Sequence, residues 1–160
     1  MLSFDEYLYL EDRDDWEFVN GLLEPRYRGS GQHSRMLSRL IVELGRTEQH
    51  TGIRVFPSID IFTRPTCLRI ADLAVTLGCI NEERFVTPPF LCVEILSPED
   101  EMSKVEARLQ EFLNMGVPFV WLIDPVTYLA WTYTAAGKVP ITDGILQTAG
   151  PSLEFTMKKY

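Results

Sequence analysis

The sequence predicts an α+β fold, and three features carry that expectation. Strand-length apolar runs recur between residues 53 and 77 and again at 90–96 and 119–123. Two segments, "QHSRMLSRLIVELGRTEQH" and "EDEMSKVEARLQEFLNMG", repeat apolar residues at helical spacing. Phe90 to Asp124 then reads strand, helix, strand, the order of a right-handed parallel crossover. With 160 residues, 46% of them hydrophobic and 24% charged, the chain has material for one compact domain over 1–160.

Taken in order, "DDWEFVNGLLEPRYR" has the form of a hairpin turning at Asn20-Gly21, with Trp16, Phe18, Leu22 and Leu23 giving strand character. After the flexible "RGSG", Met36, Leu37, Leu40, Ile41 and Leu44 line one side of a helix, capped by Ser30 and ended near Gly45 or Gly52. "IRVFPSIDIFTRPTCLRIADLAVTL" follows as three β runs, broken at Pro57 and at the turn around Arg64-Pro65. Pro88-Pro89 leads into a strand from Phe90 to Leu96, which Ser97-Pro98 ends. Met102, Val105, Leu109, Phe112 and Leu113 mark a second helix, stopped by Gly116. "VPFVWLIDP" and "YLAWTYTAAGKV" read as antiparallel strands about a turn at Asp124-Pro125, with further edge strand in the tail.

Composition narrows the functional classes. Runs such as "FVWLI" are too short to cross a bilayer, and the acidic "MLSFDEYLYLEDRDD" lacks the layout of a signal peptide, so a soluble, cytoplasmic protein is expected. Cys67, Cys79 and Cys92 are odd in number and lie in strand-like runs, which suits buried apolar residues rather than disulfides or zinc. A net charge of −8 argues against a broad nucleic-acid-binding surface. Arg26, Arg28, Arg35, Arg39 and Arg46 are nevertheless concentrated in one segment, either a local basic patch or a solvated face.

Two apolar runs each carry one carboxylate: Asp72 in "RIADLAV" and Glu94 in "FLCVEILSPED". An unpaired carboxylate in a low-dielectric interior is costly, so each must be exposed at a strand end, paired, protonated or metal-bound. If the strands are neighbours, the two acids converge where Mg²⁺ would accept oxygen ligands; a salt bridge to Arg69 would use the same residues. Glu24 is either a further acidic ligand or an exposed strand-end charge, and His33 either touches metal or phosphate or is structural. Ser97 is expected to cap the following helix or turn, and Trp121, Trp131 and Tyr133 to serve core or interface.

"RIADLAV", "FLCVEILSPED" and "ARLQEFLNMGVPFVWLIDP", together with "EFVNGLLEP", "GQHSRM" and "AWTYTAAG", resemble the Uma-type restriction-endonuclease family of the PD-(D/E)xK nuclease superfamily over nearly the whole chain. The resemblance implies a restriction-endonuclease-like α/β/α core, a central mixed sheet flanked by helices, and an acidic site around a divalent metal. On it, Asp72 and Glu94 hold Mg²⁺ or Mn²⁺ with help from the Ile95 backbone carbonyl, and DNA is the substrate. Two departures stand out: Ala71 where the family commonly has proline, and Leu96 where the superfamily motif places its lysine. The family's replacement basic residue falls at Arg108, with Lys104 one turn earlier. A guanidinium does not readily shed its proton, so Arg108 stabilises charge rather than acting as a base; alternatively it is a surface residue pairing with Glu111 or Glu101.

These readings lead to a Mg²⁺-dependent DNA endonuclease with Asp72, Glu94, Lys104 and Arg108 as its catalytic set. The rivals are a catalytically weakened nuclease-fold protein that binds a partner or self-associates, and a homodimer built on the aromatic hairpin "YLAWTYT".

Overall fold

The computed structural model describes residues 1–158. A short N-terminal helix, α1 (Phe4–Leu8), precedes the hairpin of β1 (Trp16–Val19) and β2 (Leu22–Pro25). Asn20 and Gly21 turn it with φ of 51° and 83°, the left-handed pair whose twist matches the strands. Helix α2 (Gly31–Gly45) begins where the Ser30 hydroxyl accepts the His33 N–H. The helical segment then breaks, and a single turn, α3 (Glu48–Thr51), ends on Gly52 at φ 74°.

Pro57 does not interrupt the strand that follows, contrary to the sequence expectation. β3 (Ile53–Arg64) runs straight through it, with Pro57 opposite Leu73 of β4 (Cys67–Leu77). β3 lies at the edge of the sheet and ladders with β4, so the missing N–H of proline falls on the unpaired side.

β4 is the organising strand. β3 occupies one of its edges along the full length, while the other edge is shared by two strands. β1 takes the beginning, at Cys67 and Leu68, and β5 (Leu91–Ile95) takes the end, at Leu73–Val75. The sheet therefore forks on β4 between residues 68 and 73.

Beyond β5 the order continues through β6 (Phe119–Ile123), β7 (Ala130–Thr134) and β8 (Gly137–Pro140). β5 and β6 are parallel and joined by α4 (Met102–Met115), as the strand–helix–strand pattern requires; the other pairings between these strands are antiparallel, so the sheet is mixed. The tail departs from expectation: β9 (Ile145–Gln147) and β10 (Glu154–Thr156) form a separate two-stranded sheet, burying Leu146, Leu153 and Phe155 on the α2 side.

The central sheet separates two apolar layers. Leu40 and Leu44 of α2 meet Leu73, Leu91, Val93 and the fully buried Trp121 on one face, while Leu109 and Phe112 of α4 meet Ala74, Cys92 and Leu122 on the other. Met102 is exposed instead of joining that helical face, and Cys79, expected inside, is also exposed. Tyr133 is buried against α4 and its hydroxyl donates to Glu106, so it works within the chain rather than offering an aromatic surface to a second copy. Among the described residues, no helix is long and apolar enough to cross a membrane.

Candidate active site

The fork in the sheet makes the site. Where β1 and β5 part from β4, backbone donors lose ladder partners and carboxylates take their place. The Ile70 N–H donates to Glu17 Oε1 at 2.9 Å, and the Ile95 N–H donates to Asp72 Oδ2 at 2.8 Å. The β4–β5 register, Leu73 opposite Val93, puts Asp72 and Glu94 at the next station along, in the crotch of the fork. Each is only 4% exposed, so neither is an exposed strand-end charge.

Asp72 is met by groups from the N-terminal half. Arg26 Nη2 donates to its Oδ1 at 3.4 Å, and His33 Nε2 stands 3.2 Å from Oδ2, off the line of a hydrogen bond. The first turn of α2 delivers His33 to Asp72. Arg69, the salt-bridge partner considered for Asp72, does not carry out that role: it bonds Glu17, Glu24 and both oxygens of Glu111 at 2.6–2.9 Å.

Glu94 points to the α4 side with Cys92, its neighbour two residues back, as strand alternation demands. Arg108 Nη2 is 3.5 Å from Glu94 Oε2, and its Nη1 is 3.6 Å from Glu17 Oε2. The surface pairing of Arg108 with Glu111 or Glu101 is therefore replaced by contacts inside the fork. Val105, Leu109 and Phe112 anchor this face of α4, and Arg108 lies on it by its helical position. Burial opposes the Arg108 charge, but Glu94 and Glu17 outweigh that and hold its pKa above the usual arginine value.

Burial pushes the Glu94 carboxyl well above the ordinary carboxylate range; Arg108 opposes the shift and neighbouring Asp72 adds to it. Its Oε1 is buried without a hydrogen-bond partner. Since the folded state favours protonated Glu94, this contribution to stability is full below the unfolded value of 4.5 and is lost as pH rises through the higher folded value. We therefore expect Glu94→Gln to melt above the parent at pH 8 and to lose that advantage as pH approaches 4.5. Paired thermal melts across this range check it, and a variant that melts lower at pH 8 would contradict it.

Lys104 stands apart from the acids. It is on the expected face one turn before Arg108, but its side chain is 64% exposed and pairs with Glu101 at 3.2 Å. It lines the rim of a cavity of about 240 Å³, together with Glu24, Pro25, Tyr27, Asp100 and Arg108. Glu24, 2.6 Å from Arg69 Nη1, lines the same cavity. Ser97 does not cap α4: its hydroxyl donates to the Tyr27 carbonyl and its N–H to Asp100, which ties the strap before α2 to the end of β5.

The basic segment does not form one patch. Arg26 turns inward to Asp72, Arg28 pairs with Asp15, and Arg39 is buried against the Thr156 and Lys158 carbonyls. Arg35 and Arg46 remain on the outer side of α2.

Sequence reasoning missed Glu17, Arg26 and the hub role of Arg69. Glu17 carried a legible signal, an acid inside the apolar run "WEFV", the same signal that marked Asp72 and Glu94. Glu17 and Glu24 sit directly opposite each other in the hairpin, a repulsive pairing that Arg69 resolves by bonding both.

Among the described residues no three His, Cys, Asp or Glu side chains gather as a ready metal cage. The donor chemistry nonetheless fits a hard divalent cation that keeps most of its waters: carboxylate oxygens in the fork, one of them, Glu94 Oε1, without a partner.

Comparison with known proteins agrees with this architecture. The profile of the Uma2 family, described as "Putative restriction endonuclease", matches residues 4–153. A crystal structure described as a "putative nuclease belonging to DUF820", from Anabaena variabilis, superposes with a TM-score of 0.82 at 21% identity, over 98% of this chain and 96% of that one. At that identity the likeness shows that the two chains share a fold. Comparison with curated proteins gives no match.

Proposed function

Because the chain belongs to the Uma2 family of restriction-endonuclease-like proteins, we propose that it is a metal-dependent endonuclease that hydrolyses phosphodiester bonds in DNA. The observation that carries this reading is the buried carboxylate pair at the fork, with Glu94 Oε1 unpartnered beside Asp72. Asp72, Glu94 and the Ile95 carbonyl would hold Mg²⁺ or Mn²⁺, which when bound lowers the pKa of water and offsets charge at phosphorus.

The chain's own groups do the remainder. The Ile95 N–H fixes the Asp72 carboxylate, so the acid is oriented before any ligand arrives. Arg108, permanently charged and set against Glu94, offsets the negative charge that builds on the phosphoryl oxygens. It supplies no base, and Leu96 stands where the superfamily motif places its lysine. Lys104 at the cavity rim is placed to meet substrate backbone rather than the reacting atoms.

A second reading has its own support: Asp72 already contacts Arg26 and the Ile95 N–H, as suits a lapsed nuclease fold that binds or self-associates. Incubation with duplex DNA, single-stranded DNA and RNA in Mg²⁺ or Mn²⁺ separates the two. Metal-dependent cleavage, lost in Asp72→Ala, is the expected result; no cleavage above that control favours the second.

A further inference from the structure

The charges of this chain are unevenly placed. Acids outnumber bases by 23 to 15, yet residues 25–42 contain no Asp or Glu. Within that stretch Arg26, Arg28 and Arg39 are taken up by Asp72, Asp15 and Glu43. Arg35 and Arg46 differ: both are exposed on the outer side of α2, and among the described residues neither enters an ion pair. A single exposed arginine is ordinary, but these two share a groove.

That groove, of about 260 Å³, runs along α2 with Arg35, Ser38, Val42 and Arg46 in its lining. The one acid in it, Glu43, has its charge met by Arg39 at 3.3 Å. Arg35 also lines an adjoining depression of about 300 Å³, whose other walls include Gly31 and Gln32 of the first turn and Pro125 after β6. Both walls lead to the fork: the first turn carries His33 to Asp72, and β6 ends beside Ile95, whose N–H holds the same carboxylate. We propose that this outer face of α2 is a track for the sugar–phosphate backbone that flanks the cleaved bond of a DNA duplex, with Arg35 and Arg46 as its phosphate contacts. The track rests on the reading of the fork as a site that cleaves DNA. His33 faces the fork and Arg35, two residues on, faces outward; a helix with its side chains is about 10–12 Å across, roughly three nucleotides at 3.4 Å each along one strand. From Arg35 to Arg46 the helix rises about 16 Å, roughly five nucleotides more. A local track of this kind holds a polyanion without a positive surface elsewhere, as a chain of net charge −8 requires.

Arg35→Gln and Arg46→Gln test the track. Both side chains are exposed and outside the ion-pair network, so each variant should melt with the parent. Binding of a fluorescein-labelled DNA duplex is followed by anisotropy over a range of salt, in EDTA so that metal-dependent cleavage is suppressed. Each variant should bind more weakly whatever the sequence, and its plot of log K against log salt should be shallower than the parent's by about 0.9, the weight of one phosphate contact. Arg64→Gln removes the same charge from the α4 side, where Arg64 stands 3.7 Å from Glu111, and should match the parent. An unchanged slope in either α2 variant, or a shift of equal size in Arg64→Gln, overturns the track. So does a parent that does not bind the duplex, including one that binds anionic lipid vesicles instead. Cleavage in Mg²⁺ is read separately: a parent that binds through this face yet leaves DNA intact removes the nuclease reading and keeps the track, whereas cleavage with unchanged slopes removes the track alone.

Discussion

Asp72→Asn should lower metal-dependent DNA cleavage by about a hundredfold to a thousandfold, the range seen when a preorganised electrostatic group is removed from a reacting centre. Asparagine retains an oxygen to accept the Ile95 N–H, so the junction between β4 and β5 is preserved while the charge is lost. The substitution also leaves Arg26 without a counter-ion, and the melting temperature falls with it. A readout independent of turnover therefore matters. A ligand bound only by the folded state stabilises it by about 2.7 kcal/mol at a hundred times its Kd, so saturating Mn²⁺ raises the parent's melting temperature and leaves that of Asp72→Asn unmoved. A variant that cleaves at the parent's rate, or keeps the Mn²⁺-induced rise, would show that Asp72 is no ligand.

Arg69→Met should be the most damaging single change to the fold. Arg69 is 3% exposed and joins β1, β2 and α4 through Glu17, Glu24 and Glu111. Methionine fills much of the volume but strands three acids, one of them 1% exposed, and breaking a buried pair from one side costs about 3–5 kcal/mol. The loss carries a pH signature. Burial works against ionised Glu111, but hydrogen bonds and charge from Arg69 more than reverse this and hold its pKa below the ordinary carboxylate value of 4.5. The stability it contributes is therefore present above 4.5 and disappears as pH falls through the lower folded value. The gap between parent and Arg69→Met should be widest near neutrality and shrink below 4.5. Chemical denaturation at pH 7 and pH 4 reads it; a gap below about 1 kcal/mol at pH 7, the scale of exposed pairs, would mean the hub is a surface network.

The pattern of legibility in the sequence has physical causes. Both long helices, the Asn20-Gly21 hairpin and the parallel unit through α4 were readable because each is written in local periodicity and turn chemistry. The run through Pro57 was not, since whether proline breaks a strand depends on which edge faces a neighbour, a tertiary fact. The tail was misread for the same reason: nothing local tells β9 and β10 to pair with each other rather than extend the main edge.

Within the site, Asp72 and Glu94 were visible as charges inside apolar runs, and Arg108 through the family resemblance. Their partners were not visible, because Arg26 meets Asp72 from 46 positions away and Glu17 meets Arg69 from 52, and only the divergence of β1 and β5 on β4 brings them together. Lys104 shows the converse error, since helical spacing gives the face of a residue but not the reach of a flexible side chain that finds Glu101 in solvent.

A crystal soaked in MnCl₂, with anomalous difference density collected at the manganese edge, examines the fork itself. A peak about 2.1 Å from an oxygen of Asp72 and an oxygen of Glu94 is the expected result. A fully occupied lattice with no peak there, or with manganese bound only elsewhere, would mean that this pair of buried acids serves the fold and not a cation.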